Sequence, residues 1–200
     1  MSLFRSAHDA LTFAFNYSAQ QYERPLMNRL ADSPSAVVSK GLSGMDGAGQ
    51  AGLIFCALER LKPLHQFIVF ATYAPRELPC SCRYPCCSGK KRNELWEECI
   101  RAIEEAAVTG ALAGCVTTRT LRRGLIKRAF GDKSVSMAEL AEQAEVSVNT
   151  ATNHYNRIKQ WLYGRKAELK SEAQPGEKTS ALIAIDALLT ENGVVGSDVS

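Results

Sequence analysis

The stretch Ser134–Tyr163, SVSMAELAEQAEVSVNTATNHYNRIKQWLY, decides how the chain is read. Ser136 followed by Glu139 is a Ser-x-x-Glu capping box, in which hydroxyl and carboxylate each satisfy an amide that a helix start leaves bare. Met137, Leu140, Ala141 and Ala144 then recur at helical spacing. A second cap, Ser147, opens a second apolar stripe of Ala151, Tyr155, Ile158, Trp161 and Leu162. Two caps eleven residues apart leave room for two helices and only a tight turn between them. Ala141 is small where two steeply crossing helices would come closest. With the stripe turned inward, Ser147, Val148, Asn149, Thr150, Thr152, Asn153 and Arg157 fall at the start and on the polar side of the second helix. Asn pairs bidentately with adenine, Thr hydrogen-bonds or meets a thymine methyl, and Arg suits guanine or phosphate, so a DNA-binding helix-turn-helix is expected. Glu145 stands where such turns often carry Gly, and an ordinary antiparallel helix pair with a polar face is the plainer alternative.

The segment just before it, Thr117–Phe130, TTRTLRRGLIKRAF, is amphipathic. Leu121, Leu125, Ile126 and Phe130 are expected to face inward and complete a three-helix core, with Arg119, Arg122, Arg123, Lys127 and Arg128 outward. No acidic residue occurs in that span, so the stripe reads as phosphate contact, which positions a protein on a duplex without reading its sequence. The chain as a whole is only mildly basic, at +3, so where the charge sits matters more than its sum.

Two hundred residues with 46% hydrophobic and 22% charged content make a folded chain rather than a disordered one. No run of about 18 apolar residues occurs, which excludes a membrane span. The N-terminus MSLFRSAHDALTFAFNYSAQQ lacks the basic start and cleavage site of a signal peptide, so a cytoplasmic protein with no membrane partner is expected. Helices are expected over Ala7–Ala31, broken at Pro25, and over Gln50–Tyr73, broken near Pro63. A further helix over Asn93–Leu112 would bury Leu95, Cys99, Ile103 and Ala106. The Gly- and Ser-rich SPSAVVSKGLSGMDGAGQAG lacks the Gly-Lys-Ser/Thr ending of a phosphate loop and reads as a plain loop before a helix. The helix ending the opening stretch can continue through GRKAELKSE until Pro175 and Gly176. A last helix, Thr179–Glu191, carries Leu182, Ile185, Leu188 and Leu189, and the tail GVVGSDVS should fray. No strand is expected. The fold class is all-α: a helical body over residues 1–114 with a cysteine-rich loop at 79–92, the basic helix and helix-turn-helix over 115–165, and a C-terminal helix and tail over 166–200.

Four of the seven cysteines crowd into PCSCRYPCCSGKKRN. Cys80, Cys82, Cys86 and Cys87 supply the four thiolates that a closed, structural Zn²⁺ site needs. Pro79, Pro85 and Gly89 bend the backbone, and Lys90, Lys91 and Arg92 give the loop a basic flank. Adjacent Cys86 and Cys87 do not easily reach one ion, which leaves Cys99 or His65 as an alternative fourth ligand, although helical spacing reads Cys99 as a buried small apolar residue and His65, a lone histidine, reads as a surface or core-edge one. Reduced thiols, a disulfide and a redox centre are the competing readings. No His or Glu stands near as a general base, so zinc catalysis is disfavoured and the chain is not read as an enzyme.

The order of these parts carries a resemblance. Gly-rich GMDGAGQAG, apolar helices, CSCRYPCC followed by SGKKRNELW, a basic helix and a C-terminal helix-turn-helix together resemble the Q-type transcription antitermination proteins of lambdoid phages and prophages. They are similar also to the Q-like antiterminator regulators of pseudomonads. The resemblance spans roughly Gly41 to Tyr163, and the cysteine cluster is more compact than the wider-spaced pairs of the lambda member. It implies a protein that binds a double-stranded DNA element overlapping a promoter and engages paused RNA polymerase with its sigma factor. It further implies loading at the RNA-exit channel as a ring around the nascent RNA, with read-through of pauses and terminators. A conventional dimeric helix-turn-helix repressor or activator is the alternative, and a thiol redox enzyme a further one.

Overall fold

A computed structural model describes residues 3–23, 45–80, 82, 88–165 and 174–196, with side chains described outside 20–23 and 45. The described chain is mostly helical. In order it forms α1 (Ala7–Glu23), α2 (Met45–Glu59), α3 (Pro63–Tyr73), β1 (Glu77–Pro79), β2 (Lys90–Arg92), α4 (Glu94–Thr109), α5 (Arg119–Ala129), α6 (Met137–Gln143), α7 (Val148–Tyr163) and α8 (Glu177–Glu191). These belong to two compact units. The first takes Met1–Leu61, Tyr73–Asn93 and Ala184–Ser200, the second Lys62–Thr72 and Glu94–Ile183.

In the first unit α1 packs on α2. Ala10, Leu11, Ala14 and Phe15 are buried on one helix and Ala51, Ile54, Ala57 and Leu58 on the other. Phe15 meets Phe55 edge-on with ring centroids 5.3 Å apart and stacks on Tyr73 at 6.2 Å. The Gly-rich segment, read as loop, is helical from Met45 onward. Each glycine costs a helix about 1 kcal/mol, but burial of four apolar side chains on one face outweighs it. Part of the tail expected to fray is instead packed, while residues 197–200 lie outside the described residues. Val194 and Val195 are buried, and Phe4 pairs with them, its N–H donating to Val194 O at 3.3 Å while Gly196 N donates to Phe4 O at 3.3 Å.

The strands β1 and β2, not foreseen, pair antiparallel with Glu77 opposite Arg92, Leu78 opposite Lys91 and Pro79 opposite Lys90. Three-residue strands are too short for alternation to show, and Pro79 is tolerated because a two-stranded sheet is all edge. Cys80 N donates to Gly89 O at 2.8 Å, which adds a rung beyond Pro79. Gly89 makes its turn at φ +75°, a left-handed conformation that costs glycine little.

The second unit is built on Trp96, Cys99, Ile100, Ile103 and Ala107 of α4, with Leu121, Leu125 and Ile126 of α5, Leu140 and Ala141 of α6, and Ala151, Ile158 and Leu162 of α7. The buried face of α4 is rotated from the expected one. Leu95 is exposed and Trp96 takes the interior, its Nε1 donating to Ala71 O at 3.1 Å, because the larger ring removes more apolar area from water once its polar atom is satisfied. α7 stops at Tyr163 instead of continuing through GRKAELKSE. Gly164 turns the chain at φ +84°, and α8 starts at Glu177 rather than Thr179. Along α8, Ala181 is buried in this unit and Ile185 and Leu189 in the first, while Leu182 and Leu188 are half-buried.

Candidate nucleic-acid interface

Three caps set the frame of α5, α6 and α7. Thr118 Oγ1 accepts from Leu121 N at 3.3 Å. Ser136 Oγ accepts from Glu139 N at 3.2 Å while Glu139 Oε2 accepts from Ser136 N at 2.7 Å, a complete capping box. The backbone N–H of Ser136 holds the Glu139 carboxyl below its ordinary pKa, with the Ser136 hydroxyl adding to the effect. Ser147 Oγ accepts from Thr150 N at 3.1 Å. Between α6 and α7 the chain reverses at Glu145, whose φ is +55°, and Val146 N donates back to Ala141 O at 3.0 Å. Glu145 thus adopts the left-handed conformation that Gly would take at lower cost. A Cβ at Gly124 would lie 2.2 Å from Leu140 Cδ2, so the Leu140 side chain of α6 packs directly on the backbone of α5. Ala141 is buried.

The face of α7 turned inward is Ala151, His154, Ile158 and Leu162. His154 holds the place assigned to Tyr155, and Tyr155 and Trp161 are only half-buried. Spacings of three, four and four make His154 the better helical match, although a polar residue carries no apolar periodicity signal. Its Nδ1 is buried without a partner among the described residues. Burial, and then the charge of Arg157, lower its pKa. On the other side Val148, Asn149, Asn153 and Arg157 are exposed and Thr150 and Thr152 half-buried. Ser147 is exposed but committed to its cap, with Oγ also 2.9 Å from Thr150 Oγ1.

The basic stripe of α5 is not turned wholly outward. Glu104 of α4, its side chain 3% exposed, lies 3.0 Å from Arg123 Nε, 3.6 Å from Arg122 Nη2 and 3.9 Å from Arg119 Nε. Arg122 Nη1 also donates to Thr117 O at 2.8 Å. Lys127 Nζ reaches Glu97 Oε1 at 2.6 Å and sits 5.7 Å from the centre of the Trp96 ring. Arg128 Nη1 donates to Val135 O at 3.1 Å. Arg122, Arg123 and Lys127 therefore face α4, whose carboxylates lie outside the segment that reads as all-basic. Arg119 remains open to solvent at 65%.

Of the proposed zinc ligands, Cys80 is half-buried and Cys82 exposed, both as free thiols, and Cys86 and Cys87 lie outside the described residues. Cys99 is buried in α4, and burial, with Glu98 beside it, pushes its thiol up to about 12. His65 Nε2 lies 3.1 Å from Glu177 Oε2. Among the described residues no three His, Cys, Asp or Glu side chains are grouped to hold a metal ion, and no helix is long and apolar enough to cross a membrane. The chain matches no family model, no curated protein and no solved structure.

Proposed function

We propose that this protein is a DNA-binding transcription antitermination factor in which α6, the Glu145 turn and α7 form a helix-turn-helix. The observation that carries the reading is the capped pair α6 and α7, closed by a left-handed turn and a buried Ala141, with Asn149 and Asn153 exposed on α7. In this geometry the N-terminal half of a reading helix enters the major groove, where Asn149 and Asn153 have the donors and acceptor to pair an adenine edge. Val148, Thr150 and Thr152 flank them, and Arg119 and Arg157 supply exposed charge for phosphates. Arg122, Arg123 and Lys127 chiefly brace α5 on α4.

Recruitment to a promoter-overlapping element, loading onto paused RNA polymerase with its sigma factor, and passage of nascent RNA through the loaded complex follow from the resemblance to the Q-type proteins. In vitro transcription on a template with a promoter-proximal pause and a downstream terminator tests it. Read-through that persists after polymerase leaves the promoter is the expected result, and an effect on initiation alone would assign a conventional repressor or activator. Asn149→Ala or Asn153→Ala should lower affinity for the cognate site by about 1–3 kcal/mol and leave random DNA unaffected.

Cys80, Cys82, Cys86 and Cys87 fit a structural Zn²⁺ in one respect that the fold supplies. The β1–β2 hairpin clamps the two ends of the loop, with Cys80 bonded to Gly89, and Cys86 and Cys87 precede Gly89 by three and two residues. In sequence all four cysteines fall between the two strands of that hairpin. Bound there, zinc would supply rigidity and no chemistry. Metal analysis should find one zinc per chain, and thiols that titrate freely in the native protein would reject it.

A further inference from the structure

We propose that the second unit carries another phosphate-binding site, in a cleft of about 590 Å³ between the C-terminal half of α7, the turn after α4 and the start of α8. Only the source of the phosphate rests on the DNA-binding reading. The walls are Arg157, Gln160 and Trp161 of α7, Arg165 and Gln174 of the antiparallel bridge that follows it, and Gly110 of the turn.

The cleft is built of closely crossing backbone. Arg165 N donates to Gln174 O at 3.0 Å. A Cβ on Gly164 would lie 2.1 Å from Gln174 O, and one on Gly176 would lie 2.3 Å from Gly164 N, so both crossings require glycine. Gly110 plays a like part for the indole, since a Cβ there would meet Trp161 Nε1 at 2.9 Å. The two guanidinium groups are therefore placed from a fixed frame.

Among the described residues their charge is not compensated by a carboxylate. Arg157 Nη1 donates to the Cys115 sulfur at 3.1 Å and Arg165 Nη2 to Gln160 Oε1 at 3.3 Å, both neutral acceptors. Among the described residues neither meets a carboxylate, unlike Arg119, Arg122 and Arg123, which share Glu104. The acid on the rim, Glu177, lies 3.1 Å from His65 Nε2 and forms no ion pair with either arginine among the described residues. A lone solvated arginine needs no explanation, but two in one concavity, beside the carboxamides of Gln160 and Gln174, make a donor-rich hollow suited to a phosphate, which the planar guanidinium fork binds in two-pronged fashion. The volume falls in the range of about 300–1,000 Å³ that holds small organic ligands, so there is space for a nucleotide unit rather than a bare ion. Arg157 stands four residues, about 6 Å, beyond Asn153 along the same helix. A strand read by Asn149 and Asn153 can hand its next phosphates to Arg157 and Arg165. A free nucleotide presents the same chemistry.

Two arms separate these sources in wild type, Arg165→Gln and the double variant Arg157→Gln/Arg165→Gln, each checked for an unchanged melting temperature. Titration with 5′-deoxyadenosine monophosphate, followed by tryptophan fluorescence, should show binding that falls roughly tenfold per lost arginine. Binding to a random-sequence duplex, followed by anisotropy as salt is raised, should weaken in the double variant with a salt slope shallower by about one per arginine. Nucleotide binding that depends on Arg165, without any change on the duplex, assigns a free nucleotide and upholds the cleft. If the double variant matches wild type in both arms, the cleft is overturned, and the DNA reading survives if Asn149→Ala still weakens the cognate site. If wild type takes the nucleotide through Arg165 but binds no DNA, the cleft stands and the DNA reading falls.

Discussion

Replacing Glu104 by Gln keeps the shape of the side chain and removes its charge, and should destabilise the second unit by about 3 kcal/mol. The carboxylate is 3% exposed and has guanidinium nitrogens at 3.0, 3.6 and 3.9 Å. Arg119, at 65% exposure, is screened by water and contributes under about 1 kcal/mol. The loss comes from Arg122 and Arg123, which are 20% and 33% exposed. Arg122 Nε and Arg123 Nη2 are already buried without a partner among the described residues, so the charge of Glu104 is what compensates them. Removing one member of a buried pair costs about 3–5 kcal/mol, and the partial exposure of both arginines places this pair at the low end. Both tryptophans, Trp96 and Trp161, lie in the second unit, so their fluorescence in urea reports its unfolding. With a slope of about 2 kcal/mol per molar urea, the midpoint should fall by about 1.5 M. The same change releases three guanidinium groups, so the variant should bind random DNA more tightly and with a steeper salt dependence. A midpoint within about 0.3 M of wild type, or a Glu104→Gln/Arg123→Gln double variant whose losses simply add, would refute the argument that Glu104 is the counter-charge of α5.

Glu145→Gly should raise stability by about 0.5–1 kcal/mol, since Gly holds φ +55° without the steric cost that Glu bears there; a lower unfolding midpoint would contradict it. Gly124→Ala should lower stability by about 1 kcal/mol: the added methyl gains helix propensity but would sit 2.2 Å from Leu140 Cδ2, and Leu140, buried, has little freedom to move. A stabilised variant would show that α5 and α6 are not in close contact. His154 is harder to protonate folded than unfolded, so the unfolded chain binds more protons as pH falls through about 6.5 and stability is lost in that window. His154→Leu should flatten stability against pH between 7 and 5, and an unchanged acid limb would assign that loss to other groups.

Much of this was legible in the chain. The capping box at Ser136 and the cap at Ser147 are local features, decided within a few residues by hydrogen bonds that a helix start must make. The apolar periods of α5 and α6 put Leu121, Leu125, Ile126 and Leu140 on one face of each helix, whose burial removes apolar area from water. Other features are set by residues distant in the sequence. Met45–Gly52 is helical because its neighbours bury Ile54 and Leu58, which glycine content does not reveal. Val194 and Val195 are ordered by Phe4, which lies at the other end of the chain.

The sequence alone, then, determined the helical class, the two caps and turn of Ser136–Ser147, and the polar residues carried by α7, since each depends on spacing within one or two helical turns. Tertiary structure alone decided which charges are free. Arg122, Arg123 and Lys127 are indistinguishable from Arg119 in an amphipathic pattern, yet α4 brings Glu97 and Glu104 against them from a segment ending before Thr117. Arg157 and Arg165 look like ordinary surface arginines until the Gly164 and Gly176 backbones cross and place them in one cleft. Coulomb attraction acts through space and is steepest at a few ångströms, so the partner of a charge is fixed by packing rather than by its position in the chain.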